Sequence, residues 1–172
     1  MKEQALEIEA HGETIRALLW TPGNASHAPL ILAGHGLCQH KRALFPLTLT
    51  ADLTARGYSV AAIDAPEHGS RRSSDDPAAI AEAWRVHWST NGASLIAEEH
   101  TAIIDALAGR PEVDTTRAGY FGLSLATQYG IGILASERRI SAAVLGLFSL
   151  ADPGTLMRRY APRVHCPVYF IR

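Results

Sequence analysis

The chain has 172 residues, of which 47% are hydrophobic, a formal net charge of -1 and a mean hydropathy of +0.02. That is enough apolar chain for one globular domain with a sizeable core, and it excludes a disordered polymer. The near-zero charge gives no electrostatic case for nucleic acid or an anionic membrane surface, and no apolar run is long enough to span a bilayer.

Met1 to Glu7 lacks the apolar core of a signal peptide. Leu6 to Ala10 and Thr14 to Trp20 are strand-like, joined through His11-Gly12-Glu13, a hairpin signal. Pro29 to Ala33 is a short, almost wholly apolar run, of the kind buried on both faces of a sheet. Phe45 to Arg56 has helical spacing and stops at Gly57. Ser59 to Ile63 is a second buried strand, and Pro77 to Trp88 and Ser94 to Leu107 read as helices. Ala118 to Phe121 predicts a strand, Leu125 to Ala135 a helix, and Ala142 to Phe148 a strand. A short helix over Pro153 to Tyr160 and a strand over Pro167 to Ile171 complete the series.

A hairpin followed by strands alternating with helices predicts one α/β domain over 1–172, with a mostly parallel sheet and helices on both faces. The segment 70–94 reads as a small insertion near the active-site edge, with a polar Arg71-Arg72-Ser73-Ser74-Asp75-Asp76 loop. Cys38 and Cys166 are far apart in sequence. They read as reduced thiols of a cytoplasmic protein, without metal-ligand spacing, so no metal and no cofactor are expected.

In such a sheet ligands bind beyond the carboxyl ends of the strands. His35, Asp64, His68, Ser124 and Asp152 follow strands and fall on that edge, whereas Asp114, Arg117 and His165 precede strands and fall on the other. Gly122-Leu123-Ser124-Leu125-Ala126, between a strand and a helix, has the spacing of a nucleophile elbow. Small residues two before and two after the serine let strand and helix pass close together. The ordinary alternative is a serine that caps the helix. Gly34-His35-Gly36-Leu37 follows a strand and can fold close to a substrate. The backbone N–H groups of Leu37 and Leu125 would then stabilise an oxyanion; alternatively the loop is a glycine-rich turn with no ligand. His35 and Gly36 are expected to border the substrate. In Asp64-Ala65-Pro66-Glu67-His68-Gly69-Ser70 the histidine is read as a loop hydrogen-bonder ahead of a general base. Ile80, Trp84 and Trp88 share a helix face, either packed on the core or roofing an acyl pocket; the substrate-binding reading assigns Trp84 and Trp88. Cys38, beside Leu37, reads as a pocket wall or a buried bystander.

Together, Gly-His-Gly-Leu at 34–37, Asp-Ala-Pro-Glu-His-Gly-Ser at 64–70 and Gly-Leu-Ser-Leu-Ala at 122–126 resemble the α/β-hydrolase superfamily, in its dienelactone-hydrolase-like and serine-esterase branches. The resemblance runs from the opening hairpin to Ile171. It implies Ser124 as nucleophile, an oxyanion hole from Leu37 and Leu125, and a small-molecule ester as substrate. Dienelactone hydrolases proper carry cysteine at the nucleophile position, so the serine points towards esterases; Ala126 stands where glycine is commoner. A peptidase or an acyltransferase on the same fold is an alternative.

The resemblance also places the catalytic acid after the strand Pro167 to Ile171 and the histidine one strand later, beyond Arg172. A fragment, a natural truncation or differently recruited partners would each account for this. The expected fold is therefore an α/β-hydrolase core without its last strand and helix. Asp152 is a substitute acid, with the helix N-cap before Pro153 as its alternative reading. No histidine in the chain is a persuasive base. A 172-residue chain acting alone would be nearly inactive, since serine without a base is a poor nucleophile; a non-catalytic binding domain is the corresponding alternative. Its last strand would be a bare apolar edge, predicting a homodimer through that strand.

Overall fold

Apolar alternation in the first twenty residues folds into a hairpin. In the computed structural model, which describes residues 1–148 and 157–172, β1 (Lys2–Ala10) pairs antiparallel with β2 (Glu13–Thr21). The turn between them holds His11 at φ 40° and Gly12 at φ 83°. The hairpin leads to β3 (Ala28–Ala33), α1 (Leu44–Ala55) and β4 (Ser59–Ile63). After a 3-10 turn over Gly69–Arg71 come α2 (Pro77–Asn91), α3 (Ser94–Leu107), β5 (Val113–Leu123), α4 (Leu125–Ser136) and β6 (Ile140–Gly146). The helical turn α5 (Met157–Tyr160), a 3-10 turn over Ala161–Arg163 and β7 (Val168–Ile171) follow.

Among the described residues seven strands form one sheet in the order β1-β2-β4-β3-β5-β6-β7. β1, β2 and β4 pair antiparallel, and every other pairing is parallel. Alternate residues of one strand face opposite sides of the sheet, and two apolar layers follow. Leu18 and Trp20 of β2, Ala33 of β3, and Val60 and Ala62 of β4 pack with Leu47 and Leu53 of α1. Ala17 and Leu19 of β2, Ala61 and Ile63 of β4, and Tyr120 of β5 pack on the other side with α2, α3 and α4. Trp20 is fully buried, a contribution of roughly 2–3 kcal/mol, and its indole N–H donates to Glu3 at 2.7 Å. Helices thus lie on both faces of a mostly parallel sheet.

Several boundaries differ from expectation, and β1 starts at Lys2 rather than Leu6. β5 begins at Val113 rather than Ala118, because Val113 and Asp114 pair with Ala28 and Pro29 before a register shift absorbs the polar residues that follow. Asp114 and Arg117 therefore sit inside β5, near its first end, joined at 2.7 Å. β6 spans Ile140–Gly146 rather than Ala142 to Phe148, since Leu147 turns to φ 55°. α2 runs on to Asn91 and is closed by Gly92 at φ 58°; Asp76 caps its start, accepting from the Ala78 N–H at 3.1 Å with Pro77 in the first turn. The expected helix over Pro153 to Tyr160 is described only from Met157 onwards. No described helix is long and apolar enough to cross a membrane.

Candidate active site

The β5–α4 junction is built so that a serine stands on a tight corner. Ser124 adopts φ 57°, ψ -119°, a conformation that costs a non-glycine residue about 1–3 kcal/mol and is held only by its surroundings. Those surroundings are specific. The Ser124 N–H donates to the Gly146 carbonyl at 2.9 Å, tying the corner to β6. Thr127 Oγ1 lies 2.8 Å and 2.6 Å from the carbonyls of Gly122 and Gly146 and accepts from the Gly146 N–H at 2.9 Å. Fully buried, Thr127 pins the ends of β5 and β6 together under the serine.

The small residues around the serine are required by contact. A side chain at Gly122 would place its Cβ 2.6 Å from the Ala126 carbonyl oxygen. Ala126 is itself fully buried, and a Cβ at Gly34 would come within 2.5 Å of its methyl. The glycine at 34 thus makes the room that the alanine at 126 uses. Ser124 is half-buried, and among the described residues no side chain hydrogen-bonds its Oγ. Leu125 opens α4, so its N–H has no acceptor within the helix.

The loop after β3 brings His35, Gly36 and Leu37 to the same edge. Gly34 N–H donates to the Phe121 carbonyl at 2.9 Å, holding the loop against β5. The His35 ring is 1% exposed. Its Nδ1–H donates to the Gly36 carbonyl at 2.9 Å, and its Nε2 accepts the Ala65 N–H at 3.0 Å. Both nitrogens are engaged within the protein, so the ring joins the β3 and β4 loops and leaves the backbone to border the edge. Burial, only partly offset by the Gly36 carbonyl, lowers its pKa to about 4. The Leu37 side chain is exposed. Cys38 is exposed as well, at φ 58°, which removes the buried-bystander alternative.

After β4, Asp64 organises the neighbouring loop. Its carboxylate accepts from the Lys41 N–H (2.8 Å), the Ser70 N–H (2.9 Å) and Oγ (2.9 Å), and the Lys41 ammonium (2.5 Å). Burial alone would raise its pKa, but the Lys41 and Ser70 donors outweigh it and hold the carboxyl at about 2. Gly69 at φ 55° leaves room for this carboxylate, which would lie about 2.2 Å from a Cβ there. A cavity of about 560 Å³ opens beside it, bordered by His40, Lys41, Arg42 and Arg72. His68 is fully buried, with Nδ1–H donating to the Pro66 carbonyl at 2.8 Å and Nε2 without a partner among the described residues. Deeper still, Arg71 forks onto the buried Glu99 at 2.9 Å and 2.8 Å, and His11 reaches Glu99 at 2.9 Å.

Trp84 and Trp88 are 5% and 8% exposed and stack on each other with ring centroids 5.8 Å apart. Trp84 also donates to Gln128 Oε1 at 3.0 Å. They are placed in the core, which is the packing role, rather than on an open pocket wall. Asp152 lies outside the described residues. His165 precedes β7 and stands at the far edge of the sheet, and His100 is buried, donating to the Ile96 carbonyl at 2.7 Å. Among the described residues no histidine is hydrogen-bonded to Ser124. Among the described residues no group of three or more His, Cys, Asp and Glu side chains is arranged to hold a metal ion.

The fold as a whole has counterparts among solved structures. A cold-adapted esterase from an Arctic intertidal metagenomic library, in its polyethylene-glycol-bound form, is 30% identical with a TM-score of 0.82, over 98% of this chain and 70% of that one. Its native form gives 27% identity and a TM-score of 0.74 over 98% and 68%. A dienelactone-hydrolase-like promiscuous phosphotriesterase from metagenomic libraries shares the fold at a TM-score of 0.74 and 16% identity, over 98% and 67%. No family model and no curated protein matches the chain. The chain belongs to the α/β-hydrolase superfamily. It is a hydrolase on that fold.

Proposed function

We propose that the chain is the serine-bearing core of a carboxylic ester hydrolase that works through an acyl-enzyme on Ser124. The observation that carries this reading is the backbone of Ser124, a non-glycine residue held at φ 57° at the carboxyl end of a parallel strand. Strain of this kind persists only where surrounding contacts enforce it, and it lifts the hydroxyl clear of both strand and helix. Ser124 Oγ attacks the acyl carbon and its proton passes to a general base. The carbonyl π pair moves onto oxygen, where the N–H groups of Leu37 and Leu125 receive it. Collapse expels the alcohol, which takes up the proton, and water then releases the acid by the same steps.

Among the described residues no histidine hydrogen-bonds Ser124, so the general base is not assigned to one of them. In the order serine, acid, histidine, Asp152 is a candidate acid. The same observation supports a second reading, a hydrolase-like domain that binds a ligand without turning it over. Intact mass before and after a fluorophosphonate separates the two, with Ser124→Ala as control. An adduct on the wild type that disappears in Ser124→Ala supports the esterase reading. Absence of any adduct on the 172-residue chain overturns an activated serine and favours the binding domain.

A further inference from the structure

Thr127 carries a hydroxyl that the acyl-transfer steps do not use. A threonine inside a helix ordinarily turns its hydroxyl back onto a carbonyl three or four residues earlier. Thr54 does so in α1, with Oγ1 2.8 Å from the Thr50 carbonyl and 3.1 Å from that of Ala51. Thr127 does not. Its Oγ1 leaves α4 and lies between two strands, 2.8 Å from the Gly122 carbonyl near the end of β5 and 2.6 Å from the Gly146 carbonyl at the end of β6. One hydroxyl hydrogen serves both carbonyls, and the oxygen accepts the Gly146 N–H at 2.9 Å. The side chain is fully buried, so a group left unpaired here cannot turn to solvent.

The same residue reaches Ser124 through its backbone. The Thr127 N–H donates to the Ser124 carbonyl at 2.9 Å, and the Ser124 N–H donates to the Gly146 carbonyl at 2.9 Å. The bonds close into a circuit: Ser124 N–H to Gly146, Gly146 N–H to the Thr127 hydroxyl, Thr127 N–H back to Ser124. Both backbone polar groups of the strained residue belong to it. The circuit also bears on the proposed oxyanion donor. The Ser124 carbonyl and the Leu125 N–H are parts of one planar peptide unit, so fixing the carbonyl fixes the direction of that N–H. An oxyanion donor is useful only when it is held where the charge develops. A valine at 127 keeps the shape of the side chain and the backbone bond, and opens the circuit at the hydroxyl alone.

We propose that Thr127 is a positioning residue, whose buried hydroxyl keeps Ser124 at φ 57° and so sets the Ser124 hydroxyl against the Leu125 N–H. The catalytic half of this role rests on Ser124 being the nucleophile; the hold on the corner does not. Two measurements on the 172-residue chain test the two halves. The first is urea unfolding of Ser124→Gly, Thr127→Val and the double variant. Glycine takes a positive φ without strain, so Ser124→Gly raises the midpoint in the wild-type background. In Thr127→Val the corner has already relaxed, and the same substitution adds little or nothing. No gain in the wild type, or an equal gain in both backgrounds, overturns the hold. The second is fluorophosphonate labelling, resolved into the maximal inactivation rate and the half-saturating reagent concentration. Thr127→Val is expected to lower the maximal rate about 10-fold or more with half-saturation nearly unchanged, and Thr127→Ser, which keeps the hydroxyl, to recover most of it. Thr127→Ala also removes the hydroxyl and serves in both measurements where the valine variant does not fold. Thr54→Val, which loses a buried hydroxyl in α1, reports the effect of lost stability alone. A wild-type rate in Thr127→Val, no recovery in Thr127→Ser, or an equal loss in Thr54→Val would each overturn the positioning role. Absence of labelling in the wild type would instead overturn the nucleophile reading and the catalytic half with it, while the unfolding shifts decide the hold on the corner.

Discussion

Acidification should weaken the fold through one ring in particular. His35 accepts the Ala65 N–H at Nε2, so protonating that nitrogen sets two donors face to face while the ring stays 1% exposed. Burial is the chief cause of its low pKa; the Gly36 carbonyl and Asp64 push the other way, and His68 and His40 add to the lowering. The sign follows from which state binds the proton first. Between the ordinary value of 6.5 and about 4 the unfolded chain is protonated at this position and the folded chain is not. Stability is thus complete above pH 6.5, falls as the pH drops towards 4, and levels off below. At about 1.4 kcal/mol per pH unit, the loss between pH 7 and pH 4 is about 3 kcal/mol from this residue alone. That is a large share of the roughly 5–15 kcal/mol typical of a domain. Urea unfolding at pH 7, 6, 5 and 4 measures it, with His35→Asn as the comparison. The variant is weaker at pH 7, because the Ala65 N–H loses a partner. Its further loss down to pH 4 should nevertheless be smaller than that of the wild type by about 3 kcal/mol. His68, His87 and His100 also have lowered pKa values, chiefly from burial, and keep some acid sensitivity in both proteins. An equal pH dependence in wild type and His35→Asn would refute the assignment.

Relieving the corner should stabilise the protein and silence it: Ser124→Gly is expected to gain about 1 kcal/mol in urea unfolding while losing fluorophosphonate reactivity. Ser124→Ala should lose reactivity without the gain, and an unchanged Ser124→Gly midpoint would argue against strain there. Arg71→Ala strips the buried Glu99 of its forked partner, leaving His11 alone beside the carboxylate. A loss of about 3–5 kcal/mol is expected, and a loss below about 1 kcal/mol would show that the pair carries little. Among the described residues β7 is paired on one side only, and all four of its residues are exposed, Tyr169 at 71%. A second copy adding its own β7 is expected to give a concentration-dependent dimer in light scattering, dispersed by Tyr169→Lys. A monomer at high concentration would count against that pairing.

Much of this architecture was legible before any coordinates. The His11-Gly12-Glu13 turn signal placed the hairpin, a short apolar run placed β4, and Ser94 to Leu107 marked α3 to the residue, because each of these signals is written locally. The elbow was legible for the same kind of reason. Gly122 and Ala126 must be small wherever a strand and a helix cross at a serine, whatever the rest of the chain does.

What the tertiary structure alone decided are matters of partnership between distant residues. The start of β5 was hidden because Asp114 to Arg117 are polar, and only the neighbouring β3 shows that a shifted register takes them in. His35 looked like a lining residue until Ala65, thirty positions on, was seen to occupy its second nitrogen. Trp84 and Trp88 formed a stripe that suited a core or a pocket equally, and their burial placed them in the core. A sequence sets period, size and turn chemistry, which act over a few residues. Which polar atoms meet is set by the packing of elements far apart in the chain, and in this protein that packing orders the site around Ser124.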